Sequence, residues 1–121
     1  MKYSIVKINE SYRIAELNTI TGKQQLSPEI GRFAQMRLKY LVEEQPELLS
    51  EMLNKMTLFR HLQEVEEQSQ EQLQKTEQAM IAVDTEYLAA EKAGNLMKMT
   101  GLRNNYRLAA EETIRNEIIF S

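Results

Sequence analysis

No cysteine occurs among the 121 residues, which excludes disulfides, thiolate zinc sites and cysteine nucleophiles and makes a reducing cytoplasm the expected compartment. The one histidine, His61, cannot build a multi-histidine metal site. The four glycines, Gly22, Gly31, Gly94 and Gly101, stand singly, so there is no glycine-rich loop to cradle a phosphate. No window approaches the ~18 apolar residues of a membrane span, and the start MKYSIVKINE has a short apolar run without a small-residue cleavage site. Glu64, Glu66, Glu67 and Glu71 supply carboxylates, but without histidine partners at metal spacing they are expected to be solvated. An enzyme is therefore not expected. No catalytic residue, cofactor, metal, small-molecule substrate or membrane contact is assigned.

Charge is nearly balanced. The net value of -3 divides unevenly: residues 1–60 carry nine Lys/Arg against seven Glu, and residues 61–121 carry six against eleven acidic side chains. A surface for nucleic acid, which depends on Lys and Arg displacing counterions, would have to lie in the first half.

The length suits one domain, with residues 1–24 forming a hairpin and linker and residues 27–121 a helical region. In KYSIVKINESYRIAEL the apolar and polar residues alternate on both sides of the turn signal Asn9-Glu10-Ser11, which predicts a β-hairpin over residues 2–17. SPEIGRF reads as a helix start with Ser27 as cap and Pro28 in the first position, leading to a helix that ends near Glu44. Pro46 breaks the chain and opens a short second helix to about Lys55. From Thr57 a long pattern follows, with Leu58, Leu62, Val65, Ser69, Leu73, Thr76, Met80 and Val83 at helical spacing. Its middle, QEVEEQSQEQLQKTEQ, keeps only Val65 and Leu73 as apolar members, a seam narrow enough for a two- or three-helix arm.

Two places offer themselves as the end of this helix. Asp84-Thr85-Glu86 is a good fresh start and Gly94-Asn95 a good stop. The expected fold is mainly α: an N-terminal β-hairpin, then about four helices, the last two long and paired as an antiparallel helical hairpin that turns near Asp84. In the last of these, Arg103-Asn104-Asn105-Tyr106-Arg107 places two asparagines where a helix interior disfavours them. A stripe drawn through Met99, Leu102, Tyr106, Ala109 and Thr113 leaves Asn105 at its edge, as a packing residue, and Asn104 outside.

PEIGRFAQMRLKYLVEEQPELLSEML is similar to a Gly-aromatic-x-x-x-Arg-x-x-Tyr-Leu pattern followed by a Leu-rich second helix, through Gly31, Arg37, Tyr40 and Leu41. HLQEVEEQSQE is similar to a His/Tyr-Leu-x-x-Ile-Asp-x-Gln-Ala run through His61, Leu62, Val65, Gln68 and Ser69. GLRNNYRLAAEETIRNEIIF is similar to Gly-x-x-Asn-Asn-Ile-Arg-x-x-Ala-x-Glu-Ile followed by Glu-Leu-Ile-Tyr. Through these runs the chain resembles the TnpV family of transposon-encoded proteins over residues 26 to 120. Met99 departs from the pattern, which has an aromatic two residues before the Gly. The resemblance implies an accessory protein of a mobile element, with an excisionase-like role suggested by that setting, and it makes Gly31, Tyr40, Leu41, Leu62, Gly101 and Asn105 pattern residues of structural kind.

Three functions fit. An interaction protein would engage a protein partner, or a second copy as a homodimer, through its helices; seven methionines suit adaptable surfaces. A DNA-binding accessory factor would present Arg32, Gln35, Arg37 and Lys39 from the helix after Ser27, with Arg103, Asn104 and Arg107 as a second polar patch. An inhibitor of a host nuclease or defence complex would use the acidic half to imitate phosphate.

Overall fold

The computed structural model describes residues 2–121. The chain is mainly helical, with an N-terminal three-stranded antiparallel sheet, and it falls into two compact units, one up to Glu66 and the other Glu67–Ser121.

The first unit begins with β1 (Lys2–Ile8) and β2 (Ser11–Leu17), paired from Lys2↔Leu17 to Ile8↔Ser11. Asn9 and Glu10 make the two-residue connection, with φ of 50° and 68°. Positive φ at both central residues is what a right-twisted hairpin requires, and Asn is among the residues that adopt it most readily. A third strand, β3 (Gln24–Leu26), pairs with β2 and extends the expected hairpin to a sheet of order β1-β2-β3. Its turn is built locally: Asn18 Oδ1 accepts from the amides of Ile20 and Thr21, and Gly22 takes a φ of 72°. Gln-Gln-Leu has no alternating apolar signal, so backbone pairing alone marks it as a strand.

α1 (Arg32–Glu44) and α2 (Pro46–Asn54) follow, then α3 (Leu58–Val83), whose first residues belong to this unit. The core joins Ile14 of the sheet, Ala34, Leu38 and Leu41 of α1, Leu49 of α2, and Leu58 and Leu62 of α3, with Tyr3, Ile5 and Tyr12 packed against it. Tyr3, Ile5, Tyr12 and Ile14 supply the apolar surface that a sheet needs to be stable against helices. α1 starts four residues later than expected from SPEIGRF, at Arg32 with Gly31 as its cap residue. Ser27 instead continues the sheet, its amide donating to Ile14 O.

α2 starts at Pro46 as expected, since proline has no amide to leave unsatisfied in a first turn. It ends in a six-to-one and five-to-two pair of hydrogen bonds, Thr57 N to Met52 O and Met56 N to Leu53 O. Met56 is left-handed, with a φ of 58°. Glycine is the usual residue there because a Cβ is disfavoured in that conformation.

The second unit holds the rest of α3, then α4 (Thr85–Ala93), α5 (Leu96–Ile114) and a closing π-helical turn, Arg115–Ile119. Both break signals are used. Asp84 caps α4 by accepting from the amides of Glu86 and Tyr87 at 2.9 and 3.2 Å, and Gly94, at φ 69°, ends it. Asn95 then caps α5 through Lys98 N. The expected single long last helix is thus two helices, making five in all. Ser69, Leu73, Tyr87, Ala90, Ala110, Ile114 and Ile119 are its buried residues, together with Glu111.

The buried side of α5 departs from the stripe drawn on the sequence. Met99, Leu102 and Tyr106 are partly buried as expected, but burial continues at Ala110 and Ile114, while Ala109 and Thr113 are exposed. The steps run by four after Tyr106, and a face stepping by four drifts around a helix of 3.6 residues per turn. That drift carries Asn105 out to solvent, and it is exposed together with Asn104.

Candidate functional site

Local sequence does not cap α1. Gly31 is its N-cap residue and has no side chain to offer; the amides of Phe33 and Ala34 donate instead to Glu66 Oε2 on α3, at 3.0 and 3.2 Å. A carboxylate there satisfies two orphan donors and lies at the positive end of the helix dipole. Gly31 has ordinary extended backbone, φ -66° and ψ 170°, so its dihedrals do not demand glycine. Space does: a Cβ built on Gly31 would overlap the Glu66 carboxylate.

One and a half turns further along α1, Arg37 is buried and its Nε donates to His61 Nε2 on α3 at 3.1 Å. The accepting nitrogen carries no proton, so the neutral ring holds its proton on Nδ1. Burial lowers the His61 pKa below its ordinary value and the Arg37 charge lowers it further, with Glu64 opposing. The Arg37 guanidinium also lies 5.4 Å from the Tyr40 ring centroid. Gly31, Arg37, Tyr40, His61 and Glu66 thus form one polar seam between α1 and the start of α3.

In the second unit Arg103 plays a comparable part. Its Nε meets Glu77 Oε1 of α3 at 3.2 Å, and it donates to Tyr87 Oη of α4 at 3.1 Å. Lys98 pairs with Glu86 at 3.1 Å.

The expected contact residues are divided between the two units. Arg37 and Arg103 are engaged as described, and Gln35 Nε2 donates to Tyr12 O, tying α1 to β2. Arg32 and Lys39 are exposed on α1; Asn104 and Arg107 are exposed on α5. Of the pattern residues, Leu41 and Leu62 are fully buried core and Tyr40 is half-buried, whereas Gly101 and Asn105 face solvent.

Residues 7–119 match the model of the family described as transposon-encoded protein TnpV. The chain belongs to the TnpV family. No curated protein and no solved structure matches it. The match reaches further toward the N-terminus than the resemblance did, taking in β2, β3 and the end of β1. The TnpV pattern residues Gly31, Arg37 and Tyr40 lie in the seam, and Glu66 stands at the acidic position of the second run.

Two surfaces of this TnpV protein escaped the sequence. An apolar groove of about 250 Å³ lies in the first unit, lined by Tyr3, Ile14, Glu16, Met52, Met56 and Phe59 among others, and its ionisable groups are Glu16 and Tyr3. Strand alternation signalled the sheet side of this groove, but nothing local signalled that α2 would end beside it. The other surface is the outward side of α5, where Met97 is 88% and Leu108 65% exposed.

Proposed function

We propose that the protein is a non-catalytic accessory protein of a mobile genetic element, acting by protein–protein contact through its helical region. The observation that carries this is the outward side of α5. It bears two large apolar side chains, Met97 and Leu108, and two amides, Asn104 and Asn105, in a segment that matches the TnpV pattern. Exposed apolar residues grouped with amides on one helix are typical of partner surfaces. The side chains that DNA binding would need are partly consumed: Arg37, Gln35 and Arg103 are held by His61, Tyr12 and Glu77. The apolar groove is lined by the Glu16 carboxylate, the Tyr3 phenol and the Ser27 hydroxyl, with no histidine or lysine among its described lining residues.

An element-excision assay with two double variants tests the proposal. Met97→Glu/Leu108→Glu should lose excision while keeping its helical circular dichroism, and Arg32→Glu/Lys39→Glu should retain it. The reverse pattern would transfer the function to DNA contact by α1.

A further inference from the structure

We infer that the outward face of α5 binds a second copy of itself, antiparallel, with Leu108 of each chain seated over Gly101 of the other. The inference rests on the reading of this face as a protein-contact surface and names its occupant.

Met97, Gly101, Asn104 and Leu108 recur at steps of four, three and four, so they line one side of α5 within an arc of roughly 60°. This is the spacing of a helix–helix seam, and among the described residues none of the same chain covers it. Gly101 is the informative member. It is not at a turn, and a Cβ added to it would meet nothing within 4 Å in its own chain. Glycine and asparagine are poor helix-interior residues, and Gly101, Asn104 and Asn105 all lie within α5 without an intrachain reason. A facing helix supplies one: Gly101 leaves a hollow in the seam, and the amides offer both donors and acceptors.

The register follows from size and charge. Seating Leu108 of one copy over Gly101 of the other, with the helices antiparallel, sets Asn104 against Asn105 across the twofold axis. Because such an axis keeps like sides of the two helices together, Lys98 of each copy then approaches Glu112 of the other, opposite in sign and on the same side of the seam. Lys98 already lies beside Glu86 at the surface and can be shared between the two carboxylates. In a parallel pair the twofold brings opposite flanks together, so Lys98 and Glu112, which share one flank, would lose each other as partners, and Gly101 would face Gly101 across a void. Charge complementarity selects the antiparallel arrangement.

The absence of cysteine makes the test clean, because any single cysteine introduced is unique. Light scattering on wild-type protein should report a dimer. Gly101→Leu, which improves helix propensity and whose Cβ enters open space in its own chain, should raise the dimer dissociation constant about tenfold or more by filling the hollow. Under mild oxidation Asn104→Cys should cross-link to its own copy. Leu108→Cys should not, because the two sulfurs are displaced by seven residues, about 10 Å, beyond disulfide reach.

A wild-type chain that stays monomeric at ~100 µM, a concentration at which a micromolar dimer would be populated, overturns the inference. So does a Leu108→Cys protein that cross-links as readily as Asn104→Cys, which would mean a parallel pair. The excision assay separates the two levels. A monomeric wild type whose Leu108→Glu variant loses excision leaves the face to a different protein and sinks only the second copy. A Leu108→Glu variant with normal excision removes the contact surface itself.

Discussion

Glu66 stands on α3, yet it completes the first turn of α1, and Gly31 is glycine so that it can. Gly31→Ala should displace the carboxylate and cost about 1–2 kcal/mol, the usual penalty for losing a helix cap. In a Glu66→Ala background the same substitution should cost only a few tenths of that, because there is no carboxylate left to displace. Urea melts of the four proteins in this cycle check the coupling; additive losses would mean that Gly31 and Glu66 act independently. His61 gives the seam a pH dependence. Its folded pKa lies below the ordinary value of 6.5, so the fold favours the neutral ring. That contribution is fully present above about pH 6.5, where the unfolded ring is neutral as well. It is lost as pH falls below that value, because the unfolded chain takes up a proton that the folded one resists. His61→Gln keeps an acceptor for Arg37 and does not titrate. Thermal melts between pH 8 and pH 5 should show a smaller loss of stability for His61→Gln than for the wild type.

At the scale of elements, helix ends decide most of what happens. Met56 holds the left-handed position after α2 with a side chain that is 63% exposed. Met56→Gly should therefore raise stability by a few tenths to about 1 kcal/mol, read as a higher melting temperature, since it relieves backbone strain and gives up little packing. Asn104 and Asn105 should respond alike: at concentrations where the chain is monomeric, either change to Ala should be neutral or stabilise by up to about 0.5 kcal/mol through helix propensity. Denaturant melts of the two variants check this, and a large loss at Asn105 would restore the packing role that the stripe on the sequence suggested. Elements whose signals are local were legible in advance. Pro46, Asp84 and Gly94 each act within a turn of themselves, and the alternation of β1 and β2 is written in adjacent residues. What was not legible depends on distant partners. The true start of α1 is set by Glu66, the strand β3 exists by pairing with β2, and Arg37 looked available to DNA until α3 brought His61 against it. Asn105 was misplaced for another reason, the drift of a four-residue step, which a wheel drawn with mixed threes and fours hides.

For the molecule as a whole, charge is arranged against general affinity for DNA. The boundary at Glu66 assigns Glu64 and Glu66 to the first unit, which then holds nine Lys/Arg and nine Glu, while the second holds six against nine acidic side chains. Neither unit has the cationic excess that drives counterion release. Anisotropy titrations with the ends of the element should accordingly show no binding that strengthens as salt is lowered. A steep salt slope would point to a concentrated patch around Arg32 and Lys39. The cap on α1 also bears on how the protein reaches its fold. Its two halves are 33 residues apart in the chain, with all of α2 between them. A helix capped by its own neighbours can close its first turn as it forms, but α1 must wait until α3 has docked. Its leading amides are therefore bonded only once the intervening loop has closed. Contacts made after the transition state slow unfolding and do little for folding speed. If loop closure follows that state, the bonds from the Phe33 and Ala34 amides to Glu66 act as a latch: Glu66→Ala should raise the unfolding rate and leave the folding rate nearly unchanged in stopped-flow measurements, and an equal slowing of folding would place the contact in the nucleus.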